Sequence, residues 1–320
     1  MPYLPQDHLM WDFWFAPHRE GEPWRLFYLR APASLADPED RHWQAEVGHA
    51  VSDDLLTWHD RGVALTPSTS PAWDDKAIWT GSIIEHGGVS YWFYTALTHQ
   101  DHAQRIGLAT STDLHTWHRH AANPLLEADP RWYESFETSE DGHVAFRDPW
   151  VIRHPGGHGW LMYITARANE GPMDERGVVG LARSRDLLHW TLGAPVSTPG
   201  DFGELEVPQY LHIGDRHYLL FCTGKPSSER RRREPYARWT GTHYLVADGP
   251  EGPWSIAPDP PMAADEEGQW YAGRVVEDAG RKVFLAWRRK VNGRFLGGLS
   301  RPVALDVSDD GRLSVDLIAL

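Results

Sequence analysis

The chain of 320 residues carries 31 basic against 45 acidic side chains, a net charge of −14. That balance argues against a nucleic-acid partner, since phosphate binding rests on basic patches. The hydrophobic share of 41% and charged share of 24% are those of an ordinary globular protein.

The N-terminal stretch MPYLPQDHLMWDFW has no basic n-region and no long apolar run. No secretory signal, membrane span or membrane partner is therefore expected, and the expected location is the cytoplasm. The lone Cys222 leaves no intrachain disulfide, and within the apolar run YLLFC it is expected to be a buried, inert thiol. The basic run Arg230 to Arg233 reads as a solvated loop.

In chain order, five segments repeat one pattern: a distinctive residue opening a strand, a polar turn, then a strongly apolar strand. They are WDFWFAPHREGEPWRLFYLRA from Trp11, IWTGSIIEHGGVSYWFYTAL from Ile78, FRDPWVIRHPGGHGWLMYITA from Phe146, EVPQYLHIGDRHYLLFCTG from Glu206 and WYAGRVVEDAGRKVFLAW from Trp270. Their length and their β-branched and aromatic content predict strands. The turns HREGEP, EHGG, HPGGHG, IGDR and EDAGR have hairpin chemistry. A second phrase follows in most units: SDDLLTW (52–58), STDLHTW (111–117), SRDLLHW (184–190) and the degenerate DGPEGPW (248–254). It predicts a turn into an outer strand, with its Trp packing on the neighbouring unit.

A fixed period signals a repeat architecture. Residues 1–320 are read as one all-β domain, a five-bladed β-propeller of four-stranded antiparallel blades. Units of roughly 60–70 residues exceed the usual blade of about 40–50. The surplus falls in loops such as 98–105, 127–145, 168–178 and 225–241, which would wall a pocket on the face of the strand openings.

Asp12, Asp148 and Glu206 each open the innermost strand of a different predicted blade. Innermost strands line the channel, so the three side chains are expected to converge at one end. An acidic residue can merely cap a strand start, but three at matched positions of a repeat point to a site. Like charges held together perturb one another's pKa. Paired carboxylates flanking a glycosidic bond are the equipment of glycoside hydrolysis. Among the 17 tryptophans, most are expected in the core and between blades, and some can stack on sugar rings.

These phrases resemble the five-bladed glycosidases of glycoside hydrolase families 32 and 68, the fructan and sucrose enzymes. FRDPWV (146–151) is similar to the family Arg-Asp-Pro motif, GHAVSDDLLTWHDRGVAL (48–65) to the family 32 phrase after its first blade, and WTGS (79–82) to Trp-Ser-Gly-Ser. EVPQY (206–210) resembles Glu-Cys-Pro, and WYAGR with GRKVFLAW the fifth-blade segment. The resemblance implies a retaining enzyme acting on a terminal β-fructofuranosyl unit, with fructosyl transfer as a competing outcome. Asp12 would be the nucleophile and Glu206 the acid and then the base, about 5–5.5 Å apart. Glu206 would have its pKa raised by Asp12 and by burial. Asp148 with Arg147 would hold ring hydroxyls. Arg147, Trp79, Ser82, Trp11, Trp14 and Tyr271 are the candidate substrate-binding residues, and a small carbohydrate is the expected partner.

Departures bear on the substrate. Trp11-Asp12-Phe13-Trp14 is nearer the Trp-Asp-x-Trp of family 68 than the Asn-Asp-Pro-Asn of family 32. Leu29 stands where Gln is usual and Val47 where Trp is usual. Family 32 enzymes continue into a β-sandwich, whereas this sequence is read as the propeller alone. The rivals are an inverting family 43 arabinofuranosidase or xylosidase, and a non-catalytic sugar-binding propeller. EVPQY lacks the Glu-Gly-Pro setting that would favour the first, and the intact acids argue against the second.

No metal or other cofactor is expected. The pairs His99/His102 and His118/His120 lack a third ligand at fixed spacing, and His49 in GHA reads as structural. ADEEG (264–268) has no defined cation-ligand pattern, and no nucleotide-binding glycine motif is present.

Overall fold

Five sheets are arranged around one axis in the computed structural model, which describes every residue except 1–2, 225–227, 229–230, 237, 259 and 292. The first blade is β1 (His8–Phe15), β2 (Trp24–Pro32), β3 (Glu46–Ser52) and β4 (His59–Leu65). The second is β5 (Ala77–His86), β6 (Val89–Leu97), β7 (Arg105–Ser111) and β8 (His118–Arg119). The third is β9 (Phe146–Arg153), β10 (Trp160–Arg167), β11 (Gly177–Ser184) and β12 (Trp190–Leu192). In the fourth, β13 (Glu206–Ile213), β14 (Arg216–Thr223), β15 (Thr240–Ala247) and β16 (Ser255–Ile256) pair in order, and β17 (Ala263–Asp265) adds to β15. The fifth is β18 (Trp270–Asp278), β19 (Arg281–Arg288) and, after the short ribbon of β20 (Lys290–Val291) and β21 (Arg294–Phe295), β22 (Val303–Ala304). A last ribbon, β23 (Asp306–Val307) with β24 (Leu313–Ser314), follows. All strand pairings are antiparallel. Among the described residues no helix is long and apolar enough to cross a membrane.

In the first and third blades apolar content and burial peak in the second strand and fall to the outermost. β10 (WLMYITAR) is buried at all eight positions because sheets cover both of its faces, so it reads as a continuous run rather than an alternation. The outer strand β4 (HDRGVAL) buries only Leu65.

The second phrase forms the predicted turn three times over. Asp54 Oδ1 accepts from the backbone N–H of Leu56 and Thr57 at 2.8 and 2.7 Å. Asp113 and Asp186 repeat the arrangement. Trp117, Trp190 and Trp254 pack on the preceding blade, on Phe27, Phe93 and Tyr163, whereas Trp58 lies against Tyr3 and Phe15. The ring closes where β18 touches β1. There the chain start is stitched to the last blade, Leu299 N donating to Tyr3 O at 2.7 Å.

Of the basic run, Arg232 and Arg233 are exposed as the solvated reading expects, and Arg231 departs from it. Arg230 lies outside the described residues. Arg231 is only 5% exposed, lies over the Phe202 ring and pairs with Glu234, while Arg232 pairs with Asp174. Apolar cover and local carboxylates make this charge structural. Cys222 is buried as expected, and burial pushes its thiol up to about 12. His49 is buried flat against Phe27, a packing role.

Candidate active site

Each innermost strand is interrupted at the same level. The pairing register slips between Met10 and Phe13, Ile78 and Gly81, Arg147 and Trp150, Glu206 and Gln209, and Tyr271 and Arg274. A bulge leaves residues unpaired and re-aims their side chains. Three of these bulges place a non-glycine residue in the left-handed region: Asp148 (φ 57°), Val207 (φ 47°) and Ala272 (φ 49°). Such backbone costs about 1–3 kcal/mol per residue and persists only where the surroundings over-determine it. The bulges turn Asp12, Asp148 and Glu206 onto one cavity of about 240 Å³. Trp11, Leu29, His42, Trp43, Trp79 and Thr80 wall it.

The three carboxylates sit in different environments. Asp12 Oδ1 accepts a 2.8 Å bond from Trp287 Nε1 of the fifth blade. Its pKa is pushed up to about 6, chiefly by burial and then by Asp148, against the pull of the Trp287 bond, Arg41 and Arg274. The Asp148 carboxylate is held by three donors. Thr165 Oγ1 and Val207 N each donate to it at 3.0 Å, the Thr80 hydroxyl donates to its other oxygen, and Arg147 Nε lies at 3.5 Å. Three donors fix this carboxylate in place and leave one acceptor position on Oδ1, which suits it to orienting a ligand hydroxyl and facing positive charge.

Glu206 accepts from Arg147 Nη2 at 2.7 Å and from the Tyr271 hydroxyl. Its pKa rises to about 7, mainly through burial; Arg147 opposes the shift and Glu204 adds to it. Here the sequence expectation is corrected: the carboxylate pressing on Glu206 is Glu204, because both share the one Arg147 nitrogen.

Glu204, only 2% exposed, was not anticipated. It accepts from Arg147 Nη2 at 2.7 Å and from Arg167. Arg147 also donates to Gln104 Oε1 at 3.2 Å, and Arg167 to Asp141 at 3.0 Å. The available signal was its place two residues before Glu206. The 3₁₀ helix Pro38–Gln44, which brings Arg41, His42 and Trp43 to the site, was likewise missed. Its signal was Asp37, which caps it by accepting from Glu39 N at 2.9 Å.

Of the other candidates, Arg147, Trp11 and Trp79 line the cavity, and Trp79 Nε1 is fixed on His42 O at 2.8 Å. Tyr271 meets Asp12 and Glu206 in an adjoining cavity of about 220 Å³. Trp14 and Ser82 are elsewhere. Trp14 is fully buried against Phe27 and Trp92, because the bulge before Phe13 turns it into the core. Ser82 Oγ accepts from Val151 N at 3.0 Å and joins the second blade to the third.

A family described as "Glycosyl hydrolases family 32 N-terminal domain" matches residues 8–295. The chain belongs to this family. Its relatives include a sucrose-6-phosphate hydrolase of Pediococcus pentosaceus, 28% identical over 70% of this chain and 41% of that one. A levanase of Bacillus sp. (strain L7) is 27% identical over 89% of this chain and 30% of that one. The family 32 chain described here therefore spans less than half the length of these two relatives. An inulosucrase from Halalkalicoccus jeotgali bound to kestose superposes with a TM-score of 0.76 at 22% identity, over 98% of this chain and 90% of that one, and shares the fold.

Proposed function

We propose that this chain is a retaining β-fructofuranosidase that cleaves terminal fructofuranosyl units from sucrose, fructooligosaccharides or fructan ends. The observation that carries the reading is the division of labour among three carboxylates in one cavity: Asp148 fixed by three donors, Asp12 open on a single oxygen with its pKa raised to about 6, and Glu206 raised further, to about 7. Environments that separate acids in this way assign the acid and the nucleophile.

Asp12 attacks the anomeric carbon through Oδ2, the oxygen not engaged by Trp287. The glycosidic C–O bond breaks as Glu206 gives its proton to the leaving oxygen. Neutral Glu206 delivers that proton because the Tyr271 hydroxyl can rotate away from it. Water then gives a proton to Glu206 and its oxygen to the anomeric carbon, releasing Asp12. Asp148, held rigid by its donors, faces the positive charge that develops on the ring and needs no reorganisation to do so. Arg147 keeps Glu206 in place and binds alongside Asp148.

The test is an NMR time course of the first-released sugar anomer, with sucrose, raffinose, inulin and levan as substrates. Retention, lost in Asp12→Ala, supports the assignment. Initial release of the inverted anomer, or no turnover of any fructoside, refutes it. Glu206→Gln is expected to abolish cleavage of sucrose while sparing the first step on activated aryl fructosides, and equal loss on both would remove its role as acid.

A further inference from the structure

Asp12 and Glu206 stand on different blades, the first and the fourth. Two carboxyl groups that act in turn on one carbon must keep one spacing. A single side chain of the fifth blade reaches the backbone just beyond both. Arg274, on β18, is 2% exposed. Its Nε donates to Phe13 O at 3.2 Å, and its Nη1 donates to Val207 O at 2.8 Å and to Pro208 O at 2.9 Å. Its guanidinium also lies 4.9 Å from the centre of the Trp150 ring, two residues beyond Asp148. Arg274 thus touches the chain one or two residues past each of the three acids.

Three carbonyl oxygens from two blades call for several donors in a fixed planar array, which a guanidinium offers and the point charge of Lys does not. Val207 is the left-handed residue of its bulge, at φ 47°, and it is pinned from both ends. Its N–H donates to Asp148 at 3.0 Å, and its carbonyl accepts from Arg274. Strained backbone persists only where its surroundings over-determine it. Carbonyl oxygens and an aromatic face, rather than a carboxylate, surround the guanidinium. Burial pulls its pKa down to about 10, which leaves it a cation at neutral pH. A charge buried in this way is unfavourable for folding, and an apolar side chain would serve packing without that penalty. Arg274 stands outside the cavity of the acids and borders a separate one of about 310 Å³ with Phe15, Trp150 and Val276. It therefore acts through the backbone, not by contact with the substrate.

Asp12 is pressed by Asp148, and Glu206, Cys222 and Tyr271 are also close to it. The 3₁₀ helix adds Glu39, Arg41 and His42, and the fifth blade adds Arg289. Arg41 pairs with Glu39 at 3.0 Å, and Arg289 lies over Tyr271. Arg274, by contrast, is hydrogen-bonded to the strand of Asp12 itself. We propose that Arg274 is a positioning residue: its fork joins the bulges of nucleophile and acid and so fixes their spacing, and its buried positive charge steadies the Asp12 anion. This inference rests on the fructosidase reading.

The experiment measures kcat and KM on sucrose across the pH range for the wild type, Arg274→Lys and Arg274→Gln, with thermal unfolding of each. Arg274→Lys keeps the charge and loses the fork. Its kcat should fall by about 10²-fold, the scale of a misplacement near 1 Å, while KM and the acid limb of kcat/KM near pH 6 stay where they are. Arg274→Gln loses the charge as well, so its acid limb should climb above that position. A merely structural role would lower the unfolding midpoints and leave the limb in place. An acid limb unmoved in Arg274→Gln, a wild-type kcat in Arg274→Lys, or failure of both variants to fold overturns the proposal and leaves the fructosidase intact. If the wild type cleaves no fructoside, the fructosidase reading falls. A carbon-13 NMR titration of the Asp12 carboxyl, assigned with Asp12→Asn, then decides the link between Arg274 and Asp12. A higher midpoint in Arg274→Gln than in the wild type upholds it, and equal midpoints end it.

Discussion

Glu204→Gln tests whether the buried neighbour sets the acidity of Glu206. The two carboxylates meet on one Arg147 nitrogen, each at 2.7 Å. They are thus at most ~5 Å apart, and at an effective dielectric of ~20 their repulsion is at least about 3 kcal/mol, or about two pH units. Removing one charge lets Arg147 act undivided on the other. In the wild type, kcat/KM on sucrose should rise as Asp12 loses its proton near pH 6 and fall as Glu206 loses its own near pH 7. These are macroscopic values of a coupled set. In Glu204→Gln the alkaline limb should fall by one to two units, as the repulsion estimate allows, giving a bell narrower and lower than the wild type. The assay is kcat/KM on sucrose from pH 4 to 9, with thermal unfolding to confirm the fold. An alkaline limb that stays in place, or moves upward, would refute the coupling through Arg147.

Tyr271→Phe removes a bond donated to the Glu206 carboxylate, so the alkaline limb should move up and kcat should fall. Trp287→Phe removes the 2.8 Å bond to Asp12, so the acid limb should climb above its wild-type position near pH 6; a limb that falls would contradict the role of Trp287. Glu206 is raised from 4.5 to about 7 by the fold, so the folded state favours its proton, and this contribution to stability is lost as pH rises through that window. Denaturant titrations should therefore show Glu206→Gln gaining on the wild type by about 3 kcal/mol between pH 4.5 and 7. Asp113→Ala strips two backbone bonds from its turn and should lower the thermal unfolding midpoint with little change in kcat.

The blades and the three acids were legible because their signals are local and repeated. Hairpin turns, apolar second strands and the Ser-x-Asp-Leu phrase recur, and pseudo-symmetry carries matched positions to one axis. The bulges were not legible. On an unbroken strand Asp12 and Trp14 would share a face. The slip between Met10 and Phe13 instead opens Trp11 and Asp12 to the cavity and turns Phe13 and Trp14 inward. Nothing in side-chain propensity announces that slip, since Asp148, Val207 and Ala272 hold their left-handed backbone against preference. Glu204 lay hidden for another reason: its partners Arg147 and Arg167 come from the third blade, and no local pattern reports a charge shared across blades.

The bond from Trp287 to Asp12 crosses the seam between the last blade and the first, where Tyr3 and Leu299 fasten the circle. Asp148 and Glu206 belong to adjacent blades away from that join. Loosening the seam therefore misaligns the nucleophile while its two companions keep their posts. Heat should silence the enzyme before it dismantles the sheets, and a clasp engineered across residues 3 and 299 should bring the two temperatures together.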